Sequence, residues 1–210
     1  MASPLSRRHG LPLFKFGGML SIYEDETLGV EGGDNVTVVL TERGEPQPDL
    51  YLRVRHDHGG RSQTFSYDDG IRTGSGDDHD YLTTGPEFVL EVAHSSRRLD
   101  LRGKRRDYRA GGVLEYVVAD IRREVLHWFD FTRDGRQALP VPADGVLKSR
   151  AMPGLWLNGP ALLARRGKAA RETLRAGLAT AEHAAFVRQL AAAKAARDEA
   201  ESEPAAGGAG

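Results

Sequence analysis

The sequence predicts an α/β domain, a mixed sheet flanked by helices, with a helical extension at its carboxyl end. Three observations support this. Short runs rich in valine, leucine and aromatic residues recur along the first two thirds of the chain, and each has the length and pattern of a strand. A stretch of helical composition, residues 95–112, separates two of these runs, as a crossover between parallel strands requires. Beyond Ala169, Leu174, Leu178, Phe186, Val187 and Leu190 recur at helical spacing.

In chain order, residues 35–42 (NVTVVLTE) alternate, with Val36, Val38 and Leu40 on one side, and are expected to form a strand. In PDLYLRVR, Leu50, Leu52 and Val54 face one way while Asp49, Tyr51, Arg53 and Arg55 face the other. Residues 56–85 are rich in Gly, Asp, His, Ser and Thr. They are expected to form a long loop or hairpin, with a short strand near residues 63–67, and not a packed layer. EFVLEVA is apolar enough for a central strand. Ser95 and Ser96 are good N-cap types, and the helix they open is expected to close at Gly111 and Gly112, although Gly103 weakens its interior. VLEYVVADI and REVLHWFDF are expected to be adjacent strands, and residues 140–153 an irregular connection. The expected organisation is one domain over residues 1–160, a helical extension over 161–197 and a disordered, Ala/Glu/Gly-rich tail over 198–210.

Composition narrows the chemistry. A chain of 210 residues with 40% hydrophobic and 28% charged residues can bury a core. It contains no cysteine, which excludes disulfides, thiolate metal sites and a cysteine nucleophile. Neither a continuous apolar leader nor a run of about 18 apolar residues occurs, so no membrane partner and a cytoplasmic address are expected. The net charge of −1 is unevenly spread. Residues 97–109 carry seven basic side chains against Asp100 and Asp107, an excess of +5 that leaves −6 for the rest. No phosphate-binding glycine loop is present, so a nucleotide cofactor has no support.

Chemistry concentrates in three segments. Glu91 projects with Val89 and Ala93, which puts a carboxylate inside an apolar strand where a lone charge is costly unless paired. On the following helix, Asp100, Lys104 and Tyr108 share one face. If that face meets the strand face carrying Asp49 and Glu91, two carboxylates, an ammonium and a phenol converge. Mg²⁺ typically takes one or two protein carboxylates together with waters and phosphate oxygens, and Asp49 and Glu91 suit that role, with Mn²⁺ an alternative. Lys104 suits stabilisation of charge developing on a phosphate. Arg98, Arg102, Arg105 and Arg106 are candidates for holding a nucleic-acid backbone. The plainer readings stand beside these: Asp49 as a turn residue after Pro48, Glu91 in a structural ion pair, Asp100 and Lys104 as an ordinary helix pair, and the arginines as a solvated face. His56-Asp57-His58 and Asp77-Asp78-His79-Asp80 contain ligand-type side chains, but a mobile polar loop is favoured there over a second metal. Trp128 and Trp156 are expected in the core.

PQPDLYLRV, GPEFVLEVAHSSRRLDLRGKRRDYRAGGVLEYVVAD and MPGLWLN, in that order, resemble the Uma-type family of restriction endonucleases, a bacterial branch of the PD-(D/E)XK nuclease superfamily. The resemblance spans residues 23–157. It implies a restriction-endonuclease-like fold, with Pro48-Asp49 as the first acidic element and Glu91 as the acid of the third-strand motif. Asp100, Lys104 and Tyr108 then follow in the helix, and Glu115-Tyr116 open the next strand. In the superfamily the first two acids bind the divalent metal and a lysine assists. The usual lysine position, two residues after the strand acid, is Ala93, and the resemblance offers Lys104 as its migrated substitute. The implied activity is Mg²⁺-dependent hydrolysis of DNA, with a homodimer suited to two-fold symmetric DNA. Two rivals are a non-catalytic nucleic-acid-binding protein on the same fold, for which Ala93 is the best argument, and a dimerisation module whose helical extension meets a partner.

Overall fold

The computed structural model describes residues 7–40, 44–94 and 98–202. The chain opens with α1 (Arg7–Asp25), β1 (Val30–Gly33), β2 (Val38–Val39) and β3 (Leu50–Val54). There follow β4 (Gln63–Asp68), β5 (Ile71–Gly76), β6 (Tyr81–Thr83) and β7 (Phe88–Ala93). A π-helical segment, Leu99–Lys104, runs into α2 (Arg105–Ala110), and then come β8 (Glu115–Asp120) and β9 (Val125–Asp130). The remainder is β10 (Val146–Lys148), β11 (Trp156–Asn158), α3 (Gly159–Leu163), α4 (Gly167–Leu178) and α5 (Ala181–Ser202).

The central sheet has the order β1-β3-β7-β8-β9. Strands β7 and β8 run parallel, and the crossover through α2 is what allows two consecutive sheet strands to run the same way. The other neighbours are antiparallel, so the sheet is mixed, as expected. Alternation on β7 divides the interior. Phe88, Leu90 and Val92 join Leu50, Leu52, Val117 and Trp128 beneath α1 and α4, whereas Val89 and Ala93 join Tyr51, Tyr116 and Phe129 beneath Tyr108 of α2. Because both faces are covered, every residue of β7 is buried, which is why the run is apolar except at Glu91.

Four departures from the expected elements have physical causes. Helix α1 has no counterpart among the expected elements, and Gly10, Pro12, Gly17 and Gly18 are poor helix formers. Burial of Pro12, Phe16, Met19, Leu20 and Tyr23 along one face outweighs propensity, and Gly17 lets the helix lie close to Leu50. Residues 35–42 shrink to the two-residue β2, although Val38 is buried and Val36 and Leu40 pack beside it; residues 41–43 lie outside the described residues. Residues 56–85 are not a loose loop but most of a second sheet, β2-β6-β4-β5, built on buried Val38, Phe65 and Leu82. Its β4–β5 hairpin turns at Asp69-Gly70, both at positive φ as a two-residue turn requires. Residues 140–153 likewise contain a strand, β10, paired with β11.

The two sheets are tied together by Arg53, which is fully buried. It holds Glu31 in a two-pronged pair at 2.9 and 2.8 Å and Asp77 at 2.8 Å. Asp77 also accepts the backbone N–H groups of His56 and Asp57, so this segment has fixed geometry where a mobile loop was expected. Trp128 lies in the core, while Trp156 is half-buried under the Lys148 ammonium, 3.8 Å from its ring centroid. Leu162, Leu174 and Leu190 of α3, α4 and α5 are buried in the same core as α1. Helix α5 continues to Ser202, into the stretch expected to be disordered, because alanine and the i,i+4 pairs Lys194–Asp198 and Arg197–Glu201 favour helix there. Residues 203–210 lie outside the described residues. Among the described residues, no helix is long and apolar enough to cross a membrane.

Candidate active site

Asp49 immediately precedes β3, which runs antiparallel to β7 with Leu50 opposite Leu90, and this register brings Asp49 beside Glu91. The Val92 N–H donates to Asp49 Oδ2 at 2.7 Å and fixes the carboxylate against the sheet. Glu91 projects from the middle of β7 toward α2, on the face predicted from alternation, and its side chain is 3% exposed. Lys104 Nζ donates to Glu91 Oε2 at 2.8 Å, and the Tyr108 hydroxyl donates to Oε1 at 2.8 Å. Lys104 also lies 3.7 Å from Asp100 Oδ1, whose side chain is buried. The Tyr116 hydroxyl donates to the Asp100 carbonyl, holding the π-helical segment down on the sheet.

The expected single helix is therefore a π-helical segment followed by an α-helix. Such wide turns often accompany functional sites, and here the widened segment still leaves Asp100 and Lys104 in contact while presenting Lys104 to Glu91. Ser95, Ser96 and Arg97 lie outside the described residues. Ala93 is fully buried on the same face, so the ammonium beside the strand acid comes from the helix and not from β7.

Electrostatics mark this cluster out. Burial pushes the Glu91 carboxyl up to about 7; the Lys104 charge opposes the rise and the Asp49 charge adds to it. For Lys104, burial acts downward, but Glu91, Asp100 and Asp49 more than offset it and the ammonium is held above its ordinary range. The Tyr108 phenol is held protonated by burial and by the Glu91 charge.

One member of the cluster was missed. His9 of α1 places Nε2 3.5 Å from Asp49 Oδ1, close enough for charge attraction. Asp49 raises the His9 pKa despite partial burial. Its helical partners Phe16, Met19, Leu20 and Tyr23 were a usable signal for the helix that carries it.

The four candidate arginines divide. Arg98 and Arg102 are exposed. Arg105 is half-buried, with its guanidinium 4.9 Å from the Phe129 ring centroid and a hydrogen bond to the Arg136 carbonyl, and Arg106 pairs with Asp107 at 3.1 Å.

Comparison with known proteins agrees with this architecture. A crystal structure described as "a putative nuclease belonging to DUF820 from Anabaena variabilis ATCC 29413" is similar with a TM-score of 0.58, over 78% of this chain and 86% of that chain. At 8% identity the likeness is one of fold. No curated protein matches the chain. The model of the Uma2 family, described as "Putative restriction endonuclease", matches residues 1–160. That span contains the whole cluster from His9 to Tyr108 and most of the chain, which therefore belongs to the Uma2 family of restriction-endonuclease-like proteins.

Proposed function

We propose that the protein is a divalent-metal-dependent endonuclease that hydrolyses phosphodiester bonds in DNA. The observation that carries this reading is the convergence of Asp49, Glu91 and Lys104 on one face of the sheet at its central strand β7. The donor set fits Mg²⁺ or Mn²⁺. Both carboxylates offer hard oxygen ligands, and the Asp49 charge raises the cost of ionising Glu91 in a way that a cation between them relieves. Among the described residues no group of three His, Asp or Glu side chains is arranged around one point. Two carboxylates are a normal protein share for Mg²⁺, which keeps several waters.

Asp49 and Glu91 would hold the ion, which when bound supplies Lewis-acid polarisation of a phosphoryl oxygen and a water of lowered pKa. The other roles belong to the chain. The Val92 N–H and the Tyr108 hydroxyl orient the two carboxylates. Lys104, kept protonated by Glu91 and Asp100, presents its ammonium to the charge that develops on the phosphate as the P–O bond breaks. Asp100 positions Lys104. Arg98 and Arg102 contact the DNA backbone from the exposed side of the helix, with Arg105 and Arg106 contributing their remaining N–H groups. A second reading, a non-catalytic nucleic-acid-binding protein on this fold, draws on Ala93 in the usual lysine position.

Cleavage of supercoiled plasmid and of labelled oligonucleotides, with Mg²⁺ or Mn²⁺ against chelator, tests the proposal. Asp49→Ala and Glu91→Ala should each abolish metal-dependent cleavage while circular dichroism stays unchanged. Undiminished cleavage by either variant refutes the metal role, and a wild-type protein that binds DNA but never cleaves it favours the second reading.

A further inference from the structure

Beside the carboxylate cluster lies a half-open cavity of about 780 Å³. It is walled by the start of α1, the end of β7, the β8–β9 turn and the α3–α4 connection, and its lining includes Arg7, Arg8, Arg122 and Arg165 together with His94. Among the described residues, Glu124 is the sole carboxylate on that lining. The four arginines are exposed, and none makes a side-chain hydrogen bond or ion pair with another described residue. Nine other arginines, Arg53, Arg55, Arg61, Arg106, Arg123, Arg133, Arg136, Arg150 and Arg197, do have acidic partners. Four arginines from three separate segments thus face one cavity with a single counter-charge, although the protein as a whole carries a net charge of −1.

The cavity adjoins the candidate active site through two short links. Arg8 precedes His9, whose ring lies against Asp49. His94 lies two residues beyond Val92, whose N–H holds Asp49, and two residues of extended chain span about 7 Å. A strand with one phosphate at Asp49 and Glu91 therefore has a neighbouring phosphate within reach of the cavity. Guanidinium groups match phosphate oxygens in pairs of hydrogen bonds, and a polyanion removes the mutual repulsion of the four cations.

We propose that this cavity is a phosphate subsite, which grips a nucleic-acid phosphate next to the one cleaved and so sets the position of the strand across Asp49 and Glu91. The assignment rests on the nuclease reading for its substrate but not for its binding chemistry. The phosphate comes either from the internal backbone or from a strand terminus, since both present the same oxygens.

Binding of a labelled single-stranded oligonucleotide to the full chain, followed by anisotropy in chelator across a range of salt, tests the subsite without requiring cleavage. The Arg122→Gln/Arg165→Gln double variant should bind at least tenfold more weakly at low salt. It should also flatten the slope of log K against log[salt] by about 1.4, the value for two lost contacts on a single strand. A charge-matched control, Arg175→Gln/Arg188→Gln on α4 and α5, should leave both unchanged. Equal losses in the two double variants, or wild-type affinity and slope in the cavity variant, overturn the proposal. A strong preference of the wild type for a 5′-phosphorylated over an unphosphorylated oligonucleotide, lost in the cavity variant, assigns the site to strand ends; equal affinities assign it to the backbone. Where Mg²⁺-dependent cleavage occurs, the cavity variant should raise KM with little change in kcat. Salt-dependent binding that needs Arg122 and Arg165 in a protein that never cleaves would sustain the subsite while refuting the nuclease activity.

Discussion

Replacing Glu91 by glutamine should change the pH dependence of folding in a calculable way. The carboxyl ionises near 7 in the folded protein against an ordinary value of 4.5, chiefly because it is buried. Below 4.5 it is protonated in both states and costs nothing. Between 4.5 and 7 the unfolded chain has lost the proton that the folded chain retains, so stability falls as the pH rises; above about 7 the whole loss is present. At roughly 1.4 kcal/mol per pH unit, the gap amounts to about 3 kcal/mol. For a protein of this size that is roughly 6–12 °C in Tm. Glutamine has no proton to lose, and its carbonyl still accepts from Tyr108. The Lys104 ammonium loses its partner, but it stays charged throughout this range, so its effect is a constant offset. His9 is raised mainly by Asp49, which both proteins retain, so its titration largely cancels in the comparison. Urea denaturation of both proteins in chelator at pH 5, 6, 7 and 8 measures the difference directly. Wild-type stability relative to Glu91→Gln should drop by about 2–3 kcal/mol across the series, the first part of the loss being already present at pH 5. A difference that stays constant with pH refutes the account of Glu91 as a carboxylate whose ionisation is suppressed by burial. If the metal proposal holds, Mg²⁺ at about 100 times its Kd restores about 2.7 kcal/mol to the wild type at pH 8 and nothing to the variant.

Two further outcomes follow from the packing. Arg53→Met leaves Glu31 and Asp77 without the cation that joins the two sheets, and should cost about 3 kcal/mol or more in urea denaturation; a loss below about 1 kcal/mol would show that the pair is dispensable. Deleting residues 199–210 removes an exposed helix end whose Glu201 pairs with Arg197, an interaction worth about 0.3–0.5 kcal/mol, so Tm should move by no more than about 2 °C. A fall above about 5 °C would mean that the tail packs.

Elements with strong local patterns are legible in the sequence. The β3, β7, β8 and β9 strands, the crossover helix and the two helices after Ala169 follow from alternation, continuous apolar runs and helical spacing. Elements stabilised by distant partners are not. Helix α1 keeps helical spacing at Phe16, Met19, Leu20 and Tyr23, but its glycines and proline argue against it, and burial of that face makes it stable. The second sheet carries so many polar and small residues that its local pattern is that of a loop. Its order comes from Phe65 and Leu82 beneath it and from Asp77 joined to Arg53, contacts that no window of neighbouring residues contains.

The candidate site divides along the same line. By itself the sequence determined which chemical groups share a face: Glu91 with Val89 and Ala93, and Lys104 with Tyr108. The two-residue and near-four-residue periods of strand and helix depend on adjacent backbone alone. Only the tertiary structure decided that these faces meet, that Lys104 fills the place beside Glu91 which Ala93 leaves without a cation, and that His9 and four arginines from distant segments gather near the ends of the central strands. The physical reason is that burial, and with it the shifted proton affinity of Glu91, is a property of what packs against a residue, and packing partners here come from parts of the chain that no local period connects.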